Sequence, residues 1–70
     1  MNYLLRIISS EGGYKERTHV LYGHIEDVYW YVRTKCSEGE VIHIYEEEDF
    51  IESVIRQDGK VAILARKMML

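Results

Sequence analysis

A chain of 70 residues, 47% hydrophobic and 30% charged, has the composition of a single globular domain and too much apolar and aromatic surface to remain disordered. Its formal net charge of −3 argues against nucleic-acid binding driven by overall positive charge, although a local basic strip is still compatible with it. The single cysteine excludes an internal disulfide. A domain this small buries only about 60–65% of its unfolded surface, so a second copy or a partner would add stability.

The sequence shows no feature of export or membrane insertion. Its first ten residues, MNYLLRIISS, have neither the length nor the small-residue cleavage site of a signal peptide. No apolar run approaches the roughly 20 residues of a membrane span. We therefore expect a cytoplasmic protein without a membrane partner.

The first part of the chain predicts a β-hairpin. Residues 3–9 and 14–22 are rich in β-forming side chains, and the second run alternates in polarity. Glu11, Gly12 and Gly13 between them are typical of a turn.

Residues 23–39, GHIEDVYWYVRTKCSEG, predict the helix against which the rest of the chain packs. One apolar stripe with helical spacing comprises Ile25, Val28, Tyr29, Val32 and Cys36. Gly23 is the predicted N-cap with Glu26 as its capping-box partner, and Gly39 is the predicted C-terminal stop. Cys36 lies on the stripe, so we expect a core residue and not a nucleophile.

Two aromatic residues of this helix lie outside the stripe. Trp30 is about 140° from Ile25 on the helical wheel, and Tyr31 is about 120° away on the other side. Two interpretations stay open: strand ends or loops cover both rings, or the rings anchor a partner, since Trp and Tyr dominate interface hot spots.

Residues 40–46 predict a third strand. The acidic run at 46–49, EEED, predicts a solvated turn, with a cation site or an acidic docking patch as alternatives. Four adjacent carboxylates lack the spaced oxygen geometry of a calcium loop, which weakens the metal alternative.

Residues 50–57 fit either a strand or a short helix capped by Asp49. We favour the strand, because Asp58 and Gly59 form a two-residue hairpin signal and residues 60–66, KVAILAR, are strand-like. The predicted cross-strand pairs are Val54 with Ile63, Arg56 with Val61, Glu52 with Ala65, Ile55 with Ala62 and Ser53 with Leu64.

These elements give one α+β domain over residues 1–70, with the order ββαβββ and one helix on one face of an antiparallel sheet of about five strands. A second short helix at 49–57 is the alternative. The other face of the sheet would show some of the apolar residues Leu4, Ile8, Leu21, Phe50, Ala62 and Leu64. An uncovered apolar face usually marks an interface, unless Arg, Lys and Glu stems cover it.

The sequence contains no recognisable catalytic, metal-binding or cofactor-binding motif. His19, His24 and His43 lack the spacing of HExxH, and one cysteine cannot complete a zinc set. The glycines do not form a phosphate-binding loop. We therefore predict a protein that is not an enzyme, with no catalytic residue, metal ligand or cofactor.

The leading hypothesis is a small non-catalytic protein-interaction module that self-associates, as a homodimer, or docks on a partner protein. The candidate partner-binding residues are Trp30, Tyr31, Phe50 and Leu64. The alternative is single-stranded nucleic acid stacked on a sheet face, which the net acidity disfavours. Its candidate residues are Tyr3, Tyr14, Tyr22 and Tyr45 beside Arg6, Lys15, Arg17 and Arg56. The element order also resembles that of some accessory and inhibitor proteins of phages and mobile elements, by analogy only.

Overall fold

The computed structural model describes residues 1–68. Its elements are β1 (Asn2–Ser9), β2 (Lys15–Tyr22), α1 (Ile25–Lys35), β3 (Val41–Glu46), β4 (Asp49–Gln57) and β5 (Lys60–Arg66). The strands form one antiparallel sheet in the order β2-β1-β3-β4-β5, which confirms the predicted ββαβββ domain. The alternative helix at 49–57 is wrong, since this segment is β4. In the described part of the chain, no helix is long and apolar enough to cross a bilayer.

The core lies between α1 and one face of the sheet. Its buried side chains are Tyr3, Leu5 and Ile7 from β1, Ile42 and Ile44 from β3, Val54 from β4, and Val28, Val32 and Cys36 from the helix and its end. Ile25 and Tyr29 pack partly buried against this cluster, so the predicted helical stripe is confirmed. Each fully buried aliphatic side chain contributes about 1.5–3 kcal/mol of transfer free energy.

The helix begins one residue later than the sequence predicts. His24 is the N-cap, and the Asp27 carboxylate accepts a hydrogen bond from the His24 N–H at 2.8 Å. The predicted cap of Gly23 with Glu26 is wrong, because the Gly23 N–H donates to the Met1 carbonyl at 3.0 Å and so extends the pairing of β1 and β2. Gly23 has φ of +146°, and a Cβ added there would collide with the Asp27 carboxylate.

The helix also ends before the predicted stop. Lys35 is its last residue, and Cys36 follows as an extended C-cap. Gly39 instead lies in the following turn, where its N–H donates to the Arg56 carbonyl at 2.7 Å. The glycine therefore connects the turn before β3 to β4, and it does not terminate α1.

The β4–β5 hairpin confirms the favoured interpretation of residues 50–57. Asp58 and Gly59 have φ of 54° and 73°, as a two-residue turn of type I′ requires. Three predicted pairs are confirmed: Val54 with Ile63, Ile55 with Ala62, and Arg56 with Val61.

A bulge changes the register beyond those pairs. Ser53 pairs with Ala65 and Glu52 with Arg66, which leaves Leu64 as the extra residue. The predicted pairs of Glu52 with Ala65 and of Ser53 with Leu64 are therefore wrong by one position. Alternating polarity cannot reveal such an insertion.

The acidic run at 46–49 forms the turn between β3 and β4. Glu46 pairs with Asp49, while Glu47 and Glu48 lie exposed between them, so the predicted solvated turn is confirmed. Glu47 has φ of 57°, a left-handed conformation that strains a residue with a Cβ.

Candidate interaction surfaces

The sheet face opposite α1, which we call the open face, carries two rows of apolar side chains. One row runs across the strands through Val20, Leu4, Tyr45 and Phe50, and the other through Ile8, Val41, Ile55 and Ala62. All are half-buried by their neighbours except Val20, which is 51% exposed. No helix or strand of residues 1–68 packs over them.

The predicted membership of this face needs one correction. Leu4, Ile8, Phe50 and Ala62 lie on it as expected, but Leu21 packs against the core under α1. Leu21 pairs with buried Tyr3, so the alternation of β2 turns it towards the helix. Leu64 is the bulge residue of the edge strand β5 and is 56% exposed.

A row of polar side chains separates the two apolar rows. Arg6 at its centre donates to the Glu16 carboxylate at 2.9 and 3.1 Å and to the Tyr45 hydroxyl at 3.3 Å. Hydrogen bonding from Arg6, and then from Tyr14, holds the pKa of Glu16 below its ordinary value. The charges in the middle of the open face therefore compensate each other.

Beside Arg6, the His43 ring nitrogen Nδ1 lies 2.5 Å from the hydroxyl of buried Ser53. His43 and Ser53 continue the polar row from Arg6 across β3 and β4. A partner that covered the open face would meet Arg6, Glu16 and His43 with their polar groups already bonded, which lowers the desolvation penalty of binding.

The two aromatic residues of α1 that lie outside the apolar stripe differ in their exposure. Trp30 is 51% exposed, and the Lys35 amino group lies 6.0 Å from its ring centroid. The half-buried Tyr31 ring stacks on His19 with centroids 4.2 Å apart and planes at 10°. Tyr31 is thus covered by a strand residue, whereas Trp30 remains available to a partner.

The four candidate residues do not form one site. Phe50 lies on the open face with its ring edge-on to Tyr45, at a centroid distance of 5.7 Å. Trp30 lies on the helix side of the sheet, and Leu64 lies at the β5 edge. A single flat partner could not contact Trp30 and Phe50 at the same time.

Glu52, which carries no predicted functional role, is buried on the helix side. Its carboxylate accepts hydrogen bonds from the Tyr29 hydroxyl and from Arg66 Nε, the latter at 3.2 Å. Burial, and then the bond to Glu52, raises the pKa of Tyr29. No local pattern identifies this group, because an isolated Glu in a strand usually faces solvent.

Glu40 is a second buried carboxylate, held by Arg17 in a bidentate pair at 2.6 and 3.1 Å and by the Ser37 N–H at 2.6 Å. The bond from Arg17 is the main cause of its lowered pKa. Nearby, burial raises the pKa of the Cys36 thiol to about 11. Cys36 belongs to the buried core, as expected.

The aromatic and cationic groups considered for single-stranded nucleic acid are divided between the two faces of the sheet. Tyr3 is buried beneath α1, while Tyr45 lies on the open face beside Arg6. Arg17 and Arg56 point to the helix side, where each pairs with a glutamate. Within residues 1–68, no three His, Cys, Asp or Glu side chains converge as a metal site would require.

Comparison of the chain with protein-family models, with curated proteins and with solved structures found no significant match.

Proposed function

We propose that this protein is a small, non-catalytic interaction module of the cytoplasm that self-associates, or docks on a partner protein, through its open face. One observation carries the proposal: two uncovered apolar rows flank a polar row whose charged groups are already paired. Such a face loses apolar contact with water on binding and leaves few polar groups without partners. A second copy of the chain is the first partner to test.

The size of the face supports this choice. Five strands spaced by about 4.8 Å, each rising about 3.3 Å per residue, give a face of about 20 by 25 Å. Two copies packed face to face would bury roughly 1,000 Å² in total, which is at the lower limit of specific interfaces. Association would also enlarge the apolar core of a domain that is small for independent stability.

The test is the solution mass, measured by size-exclusion chromatography with light scattering over a concentration series. Val20 and Trp30 provide a matched pair of variants, because each is 51% exposed and they lie on opposite sides of the sheet. We expect a wild-type dimer, a monomeric Val20→Glu variant and a dimeric Trp30→Glu variant. Far-ultraviolet circular dichroism would verify that both variants fold.

Other results would change or overturn the proposal. A variant pattern in which only Trp30→Glu dissociates the dimer would move the interface to the helix side. If the wild-type chain is monomeric at all concentrations tested, self-association is excluded.

A further inference from the structure

A groove runs between α1 and the edge strand β5, on the side of the sheet that the open face does not include. It consists of two adjoining depressions of about 380 and 300 Å³, which share Tyr29 and Arg66. Val61 and Ile63 of β5 provide apolar lining between the two charged ends of the groove. We call this surface the β5 groove.

The β5 groove is basic, although the whole chain has a net charge of −3. Its cationic residues are Arg33, Lys60, Arg66 and Lys67. Glu52 is the one carboxylate that lines it among the described residues, and it is buried and already bonded to Tyr29 and Arg66. Among residues 1–68, Arg33, Lys60 and Lys67 form no ion pair.

These cations lie at the two ends of β5. Lys60 is the first residue of the strand, and Arg33 is close to that end because its carbonyl accepts a hydrogen bond from Arg56, which pairs with Val61. Arg66 ends the strand and Lys67 follows it. The groove is therefore apolar in its middle and positive at both ends.

The strand itself has an open hydrogen-bonding edge. In the part of the chain that the structure describes, β5 pairs only with β4, and its residues 61–65, VAILA, carry no charge. Because Gln57 and Lys60 form the bonded pair next to the turn, alternation directs the backbone N–H and C=O of Val61 and Ile63 outwards. The bulge at Leu64 limits the regular edge to residues 60–63.

We infer that the β5 groove binds an extended acidic peptide segment of a partner protein, which adds as a strand to residues 60–63. The peptide backbone bonds to Val61 and Ile63, its apolar centre lies in the groove, and its carboxylates contact Lys60 and Arg33 at one end and Lys67 at the other. This inference rests on the proposed interaction function, but it uses a different surface and specifies the chemistry of the partner.

Charge favours this occupant over a second copy of the chain. If two copies met through their β5 grooves about a two-fold axis, each copy would bring Arg33, Lys60, Arg66 and Lys67 to the contact. Like charges brought together at such a contact destabilise it. An acidic peptide places attractive charges at the same positions.

The test uses a fluorescently labelled, capped peptide with two glutamates on each side of a Val-Ile-Val-Ile centre, and fluorescence anisotropy with the full chain. Lys60→Glu should weaken binding by about tenfold, since it replaces an attraction with a repulsion. Lys15→Glu is the matched control, because it makes the same charge change at the opposite edge strand, and its affinity should stay within about twofold of wild type. Amide chemical shifts should change most at Val61 and Ile63.

Two further peptides separate strand addition from general charge attraction. A peptide with lysines in place of the glutamates should not bind, and a central proline should abolish binding because it removes a backbone donor. Equal loss of affinity in Lys60→Glu and Lys15→Glu, or binding that tolerates the proline, would overturn the inference.

The two proposals can fail independently. If the wild-type chain is a dimer but does not bind the acidic peptide, only the inference about the β5 groove is overturned. If it is a monomer that binds the peptide, only the proposal of self-association is overturned. A wild-type dimer that Lys60→Glu dissociates would identify the β5 edge as the contact between copies and would contradict the inference.

Discussion

Replacement of Tyr29 by phenylalanine removes one hydroxyl from the side of α1 and leaves the aromatic ring in place. That hydroxyl donates to the Glu52 carboxylate, which is buried on the sheet below. After the change, Arg66 is the only hydrogen-bond donor to the Glu52 carboxylate within residues 1–68. The variant therefore measures how much a buried carboxylate depends on its second partner.

A hydrogen bond to a charged group contributes about 1.5–3 kcal/mol. We expect a smaller loss of about 1–2 kcal/mol, because Arg66 remains and its side chain is 62% exposed, so water can approach the carboxylate from that side. For a domain of this size, that loss lowers Tm by roughly 5–15 °C.

Urea denaturation followed by circular dichroism would give the free energy of unfolding of Tyr29→Phe, Glu52→Gln and the double variant. The coupling energy from this cycle should be at least about 1 kcal/mol. Tyr22→Phe is the control, because Tyr22 is 73% exposed and its hydroxyl makes no hydrogen bond within residues 1–68; its change should stay within about 0.5 kcal/mol. A coupling energy near zero would refute the dependence of Glu52 on the hydroxyl.

Two further changes probe the backbone and a second carboxylate. Glu47→Gly should stabilise the domain by about 0.5–1 kcal/mol in urea denaturation, because glycine relieves the left-handed strain. Glu48→Gly is the control and should destabilise the domain, because Glu48 has no positive φ. A loss of stability in both variants would contradict this prediction. The pKa of Glu40 is lowered by Arg17, so its contribution to stability is complete above the ordinary Glu value of 4.5 and disappears as pH falls through the folded-state pKa. Between pH 7 and about 2, the free energy of unfolding should fall less for Glu40→Gln than for the wild type. An equal fall in both would exclude this role of Glu40.

The sequence predicts the elements of this fold because periodicity reports which side chains are buried. The stripe through Val28 and Val32 and the alternation through Leu5 and Ile7 each require one apolar face, and local physics is sufficient there. The predicted positions of the helix ends are wrong because tertiary contacts determine where the helix begins and ends. Gly23 is engaged by the Met1 carbonyl, and Gly39 by the Arg56 carbonyl, which no local pattern shows.

The candidate surfaces were predictable only in part. Two apolar faces of the sheet follow from alternation, but the assignment of Leu21 to a face depends on which side of β2 the helix covers. The bulge at Leu64 and the burial of Glu52 also require the assembled sheet. Those last two features help to shape the β5 groove, so sequence reasoning alone could not identify it.

The strand order also has a kinetic consequence. β1 lies between β2 and β3, and it pairs with β3 across the whole length of β2 and α1, with Ile8 opposite Val41 and Tyr3 opposite Glu46. The other strand pairs join neighbours in the chain and can close through short turns. Closing the β1–β3 ladder bears the greatest loop entropy, so this step should limit the folding rate of the domain. During synthesis, β1 would then wait for β3 to be made before its central pairing forms.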